Sequence, residues 1–380
     1  MTWLATIVAL MTVNAAPEPV APVVAHTPAR LACPEGAKLI GDPPPEGKKR
    51  WCSYRGQDGL QVFHGHYWEW HDNGQLALEG DFVHGIRNGR WAEYDRAGGL
   101  TIESNYRAGN LEGAYVGIID GQRLEGSYKA GQRDGTWRYF GTNGKKAGEG
   151  PYKDGVRNGR WTVWFDDGSR AEGSYVADVR QGRWTIYGPN GARRAEGPVV
   201  DGQRKGAWTE YDERGALLAK GPYVDDMREG KWVIYYSHGG KQAHGSYTAD
   251  SRTGLWVESD SDGRRWQGRY DNGTKQGPWE CTYANGKVAE QGLMRDGKRN
   301  GEWTFFNDKG VLSARGVFRD DERIGIWTET TRDGGYIEGE YRNNERDGVW
   351  ATFAVDGSAR GEIRFSGGLR VDMQSPTGNP

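Results

Sequence analysis

Tyr152-Lys153-Asp154-Gly155-Val156-Arg157-Asn158-Gly159-Arg160-Trp161-Thr162-Val163-Trp164-Phe165-Asp166-Asp167-Gly168 decides the fold of this chain. A turn-like connection, Asp154 to Gly159, leads into a Gly-x-Trp step. A β-branched and aromatic run follows, Asp167-Gly168 turns it, and Arg170 to Tyr175 leaves in a second short run. This order of events is the signal of a β-hairpin. It returns every 22 to 24 residues from near residue 60 to residue 365. The first step sets its aromatic at Tyr67, Trp91, Tyr115, Trp137, Trp161, Trp184, Trp208, Trp232, Trp256, Trp279, Trp303, Trp327 and Trp350. A second Gly-x-aromatic step falls midway, at positions such as Phe82, Tyr128, Tyr175, Tyr223 and Tyr341, with Val199 and Met294 as departures. A fixed period of this length marks tandem structural units that bury their apolar groups against neighbours.

The expected fold is all-β, an elongated single-layer twisted antiparallel meander of about thirteen tandem β-hairpins. Asn-Gly or Asp-Gly pairs, among them Asn73-Gly74, Asn143-Gly144, Asp262-Gly263 and Asp356-Gly357, supply the positive φ of tight turns. A three-residue loop at Asp167-Gly168 sets Trp161 opposite Gly173, and a four-residue connection after Tyr175 sets Gly173 opposite Trp184. Each indole then lies over a cross-strand glycine, the packing device called aromatic rescue. The other face carries a weaker aromatic set (Tyr94, Trp164, Tyr187, Tyr211, Tyr235, Phe306, Phe353) among charged residues, with Glu172 diagonal to Arg160.

The unit Tyr-x-x-Gly-x-x-x-Gly-x-Trp, clean at Tyr152 to Trp161, resembles the MORN repeat, specifically the bacterial variant with Asn-Gly or Asp-Gly turns. Resemblance implies an elongated antiparallel sheet serving as a scaffold for dimerisation, protein docking or membrane-associated contacts. It implies no catalytic residues.

Composition fits an array without a central core. Hydrophobic residues are 36% of the chain, aromatics are 12%, and 60 of the 380 residues are glycine. The polarity alone reads as disorder, but the aromatic content argues against it. Fifty basic and 52 acidic residues are interspersed, with no basic stripe for nucleic acid. Residues 1–15 read as a signal peptide, with an apolar run from Trp3 to Val13 and cleavage after Ala15. The chain is therefore expected in the periplasm, on the outer surface or secreted. Residues 16–31 form a Pro/Ala-rich linker, 32–60 a short segment holding Cys33 and Cys52, 61–365 the array and 366–380 a flexible tail. Cys33 and Cys52 are expected to pair, closing a loop worth roughly 3 kcal/mol in the chain-entropy account. The alternative is lipidation at Cys33, against which Arg30 occupies a place that calls for an aliphatic residue. Cys281 reads as a small buried hydrophobe.

Patterns that carry chemistry are sparse. Gly-x-Ser-x-Gly, His-Glu-x-x-His and phosphate-loop strings are absent. Glu258-Ser259-Asp260-Ser261-Asp262-Gly263 opens like a calcium loop, but Arg269 stands where the bidentate Glu belongs. His64, His66, His71 and His84 cluster in the first unit, and the periodic pattern accounts for His64 and His84 as turn residues. Glu79, Glu125, Glu149, Glu172, Glu196 and Glu338 recur as solvated-face residues with no cleft to shift a pKa. No enzyme, cofactor, metal or small-molecule substrate is expected. The expected function is an exported scaffold for protein contacts or self-association. Its recognition surface is the aromatic face bearing Trp91, Trp137, Trp161, Trp184, Trp208, Trp232, Trp256, Trp279, Trp303, Trp327 and Trp350. Cell-wall glycan binding, with sugars stacked on these rings, and attachment to a lipid surface are the alternatives.

Overall fold

The computed structural model describes residues 32–371; the expected signal peptide (1–15), the linker (16–31) and residues 372–380 of the tail lie outside them. The described residues contain 32 strands and no helix. Two compact units are present, one made of residues up to 193 with 199–202, the other of 194–198 with residues from 203 onward.

In the first unit, Lys38–Asp42, Lys49–Arg55, Gln61–Trp70, Leu76–Val83 and Ile86–Tyr94 pair antiparallel in chain order, and the pattern continues hairpin by hairpin. The second unit runs in the same way from Gly206–Tyr211 and Leu217–Val224 to Ala359–Ser366. The segment 32–60 thus contributes strands to the ladder and is not a separate element. Leu369–Val371 pairs with Arg364–Ser366, so the last hairpin reaches into the stretch expected as a loose tail. Cys33 and Cys52 are joined by a disulfide, with Cα atoms 5.5 Å apart.

The two connections differ in kind. At the Asp167-Gly168 turn, the Phe165 N–H donates to the Ser169 carbonyl and the Gly168 N–H to the Phe165 carbonyl, with Gly168 at φ +83°. Trp161 pairs with Gly173 as expected. At the other connection the expected four-residue loop does not form. Val176 pairs with Val179, leaving a two-residue turn of Ala177 and Asp178, both at positive φ. This primed turn matches the right-handed twist of the strands it joins. The remaining two residues sit in a bulge just before each tryptophan. Arg269 pairs with Gln276 and Gly268 with Trp279, so Gly277 and Pro278 have no partner on that side. Gly277 takes φ +70° there, which is why the Gly-x-Trp step begins with glycine. Two turn residues plus two bulge residues restore the register predicted for a four-residue loop.

One expectation is overturned. The eleven tryptophans assigned to a recognition face, Trp91, Trp137, Trp161, Trp184, Trp208, Trp232, Trp256, Trp279, Trp303, Trp327 and Trp350, are each only 0% to 4% exposed. They are the core, shared out one ring per hairpin. Their neighbours on the same face supply the cover that a second layer supplies in an ordinary sheet.

Candidate functional site: a covered face and an open face

Each buried indole occupies a four-sided seat. Its floor is a glycine of the preceding strand. A Cβ placed on Gly80, Gly126, Gly150, Gly173, Gly197, Gly221, Gly245, Gly268, Gly292, Gly316 or Gly339 would come within 2.1 to 2.4 Å of the indole eleven residues later. Its sides are aromatic edges. Tyr223 stands T-shaped between Trp208 and Trp232, at 6.1 and 5.2 Å between centroids, the geometry that ring quadrupoles favour. Its rim is a hydrogen bond. The Trp232 Nε1–H donates to the Pro222 carbonyl at 2.9 Å, and ten of these eleven indoles donate in the same way to the residue ten positions earlier. Trp184 is the exception, its Nε1 buried without a partner. The accepting carbonyl lies opposite the bulge, and at Pro151, Pro198 and Pro222 it also accepts a backbone N–H, from Asn158, Lys205 and Glu229.

The roof is a cation. Arg87, Arg133, Arg157, Arg180, Arg204, Arg228, Arg252, Lys275, Arg299, Arg323 and Arg346 hold their charge 4.1 to 5.9 Å from the centroid of the indole four residues on. This is the cation–π arrangement, strengthened where the charge is partly desolvated. Sequence reasoning missed this row, although its signal, Arg/Lys-x-Gly-x-Trp, is written in every one of the eleven units. The unit built on Tyr115 shows that the parts depend on one another. There Ser104 takes the floor, Leu111 the roof and Tyr115 the ring, and Tyr115 leans over Gly117 instead.

Carboxylates complete the covered face. Glu210 accepts from the Tyr223 hydroxyl at 2.5 Å and from the Arg228 guanidinium at 2.8 Å. Glu258 takes Tyr270 at 2.8 Å and Lys275 at 3.0 Å, and Glu329 takes Tyr341 and Arg346. Burial, with Glu210 beside it, pushes the Tyr223 phenol up to about 12. Glu258 is held below its usual range because Tyr270 and Lys275 outweigh its burial. These acids are spent on structure. A buried carboxylate bound this way offers no proton to a substrate. Cys281 is buried on the same face, and burial raises its thiol to about 11.

The opposite face is open. In the first unit it is a lattice of ion pairs: Arg90 with Glu79 and Glu103, Arg138 with Glu149, and Arg160 with Glu172 at 2.9 Å, the diagonal pair expected from the pattern. Glu125 pairs with Arg123, Glu196 accepts from the Tyr211 hydroxyl, and Glu338 accepts from the Thr328 hydroxyl at 3.3 Å. No cleft gathers these acids. His66 is half-buried between Asp81, 2.9 Å from Nδ1, and Glu79, 3.9 Å from Nε2. His84 accepts from or donates to the Tyr54 hydroxyl and stacks on His64, and His71 meets the Tyr94 carbonyl. Among the described residues no three His, Cys, Asp or Glu side chains converge as a metal site. Asp260, in the calcium-like string, caps its own turn by accepting from the Asp262 and Arg264 N–H groups.

In the second unit the open face changes character. Leu255, Leu293, Ile326 and Val349 are 54%, 48%, 60% and 43% exposed, each at the place beside the buried Trp or its glycine. Leu255, Pro278 and Leu293 share the lining of a furrow of about 680 Å³ with polar residues, among them Gln267, Glu280 and Gln291, which lie opposite one another on successive strands. No charge pairing covers these apolar side chains.

No curated protein matches the chain. Among solved structures, the computationally designed Ika8 protein aligns over 77% of this chain and 93% of its own at 11% identity, with a TM-score of 0.15, a likeness that carries no argument. The family match falls on the repeat itself: residues 133–154, one copy from roof arginine to inter-hairpin turn, match the MORN repeat variant that the whole array resembles.

Proposed function

We propose that this chain is an exported, non-catalytic scaffold that binds protein through the open face of its second unit. One observation carries the reading. The tryptophans are consumed by the core, whereas Leu255, Leu293, Ile326 and Val349 stand exposed on the opposite face, interspersed with Arg269, Glu302 and Glu340. Exposed apolar groups in series usually mark a contact surface. MORN repeats generally serve as protein- or membrane-binding modules, and the near-balanced charge favours protein over an anionic lipid surface. Glycan stacking on the tryptophans loses its basis, because a sugar cannot reach a ring with 4% exposure or less. Export is supported by the apolar run from Trp3 to Val13 and by the Cys33–Cys52 disulfide, which suits an oxidising compartment.

The test is affinity capture from the cell envelope with mass spectrometry, run with the natural chain and with Ile326→Asp plus Val349→Asp. A partner retained by the natural chain and lost by the variant, at unchanged melting temperature, supports the reading. Equal capture by both overturns it.

A further inference from the structure

We propose that the open face between Leu217 and Asp271 is a cationic docking surface for a polypeptide segment carrying both carboxylates and apolar side chains, an inference that rests on the open face of the second unit being the binding surface. Five adjacent antiparallel strands build it: Leu217–Val224, Gly230–Tyr235, Lys241–Thr248, Ser251–Ser259 and Arg265–Asp271. Strand alternation sorts their charges by face. Lys220, Lys231, Lys241, Arg265 and Arg269 stand exposed on the face opposite the tryptophans, and none of the five makes an ion pair among the described residues. These strands hold two carboxylates. Glu258 lies on the covered face with Tyr270 and Lys275, and Asp271 closes the last strand beside its turn.

The repeat itself shows what is missing. In the first unit Glu125, Glu149 and Glu172 each precede a floor glycine. Glu149 neutralises Arg138 and Lys146, and Glu172 neutralises Arg160 and Arg170. Before Gly221, Gly245 and Gly268 the same place holds Lys220, His244 and Gln267, whereas the cations of the lattice persist as Lys231, Lys241 and Arg265. The resulting field registers at His244. Burial foremost, then Arg265 and Lys241, hold its imidazole below the ordinary value, and no carboxylate opposes them. Like charges gathered without acids repel one another across a sheet. A partner of opposite sign relieves that repulsion and is steered to the surface by it.

The neighbours define the partner further. Leu255, 54% exposed, pairs across the strands with Arg269, and Pro278 and Leu293 follow on the next two strands. A phosphate polymer brings charge but nothing apolar for these side chains. Beyond them Glu280 and Glu302 change the sign of the face, which an anionic bilayer does not match. An acidic polypeptide with apolar residues supplies both kinds of group and can change sign along its length.

The test titrates the full chain into a fluorescein-labelled peptide repeating Glu-Glu-Leu, or into its Gln-Gln-Leu counterpart, and reads anisotropy. Calorimetry reads inorganic polyphosphate and phosphatidylglycerol vesicles in parallel. Lys241→Glu plus Arg265→Glu probes the surface, and Lys129→Glu plus Lys153→Glu, exposed in the first unit, is the control of equal net charge. Saturable binding of the acidic peptide, weakened about tenfold or more by the surface variant but not by the control, at unchanged melting temperature, is the expected result. Equal binding of the Gln-Gln-Leu peptide, or indifference to the surface variant, overturns the inference. Binding of polyphosphate or vesicles through the same two residues, without binding of the acidic peptide, overturns it as well. In the envelope capture the surface variant is expected to lose the partner that the natural chain retains. Should it retain that partner while Ile326→Asp plus Val349→Asp loses it, the acidic class falls and the scaffold reading stands.

Discussion

At the scale of the residue, two kinds of glycine do different work, and substitution separates them. Gly268 lies under Trp279, where a Cβ would meet the ring at 2.2 Å. Gly254 has open space around it but sits at φ +64°. Overpacking a close-fitting core costs about 1–3 kcal/mol or more, whereas Asn accepts the left-handed region with little strain. Gly268→Ala is therefore expected to lower unfolding stability by about 2–3 kcal/mol, and Gly254→Asn by less than about 1 kcal/mol; urea denaturation measures both. Equal losses would mean that the floor of the seat is not what the glycine provides. The indole-over-glycine contact was legible in the sequence, because spacing and strand alternation together fix which residues oppose. The arginine roof was written there too. It went unread because Arg in a turn looks solvated until the bulge folds it back over the ring.

The element scale turns on the hairpin and its pH range. His66 and Glu79 join the strands Gln61–Trp70 and Leu76–Val83. Burial works against a charged His66 ring, but the Asp81 and Glu79 carboxylates overcome it and raise His66 to about 9. His66 foremost, with Tyr94 and Arg90, holds Glu79 down at about 2 against its burial. The signs are opposite. Stability from Glu79 is present above its ordinary value of 4.5 and lost as pH falls toward about 2; that from His66 is complete below 6.5 and lost as pH rises through about 9. The pair is thus fully formed between pH 4.5 and 6.5. His66→Gln is expected to remove the alkaline limb of the melting-temperature profile and shrink the acid limb. An alkaline limb unchanged in the variant would contradict this assignment. The connections show where sequence reading stops at this scale. Turn dipeptides located both ends of each hairpin, but they could not reveal that four residues divide into a two-residue turn and a two-residue bulge. Both solutions give the same register beyond the bulge, and the hydrophobic pattern reports only register.

For the whole molecule, stability should be a sum of units and nearest-neighbour contacts, since each ring touches only adjacent hairpins. Excising residues 216–239 removes one whole repeat, since Gly215 and Gly239 hold equivalent turn positions; it keeps the glycine floors of Trp208 and Trp256 and sets Tyr247 where Tyr223 stood beside Trp208. That deletion is expected to fold with a modest loss of stability, whereas excising 216–227 should not fold cooperatively; circular dichroism and urea titration distinguish them. Function was less legible than fold at this scale. Aromatic periodicity looks the same whether rings are displayed or buried, and only the three-dimensional cover of arginine and tyrosine decides between them. The central claim, that the tryptophans are core and recognition belongs to the opposite face, is tested most directly by hydrogen exchange at the indole Nε1–H groups followed by NMR. The account predicts slow exchange at the ten seated indoles that donate to a carbonyl, from Trp91 to Trp350, and faster exchange at Trp184, whose Nε1 lacks a partner. Rapid exchange at all of them would contradict it.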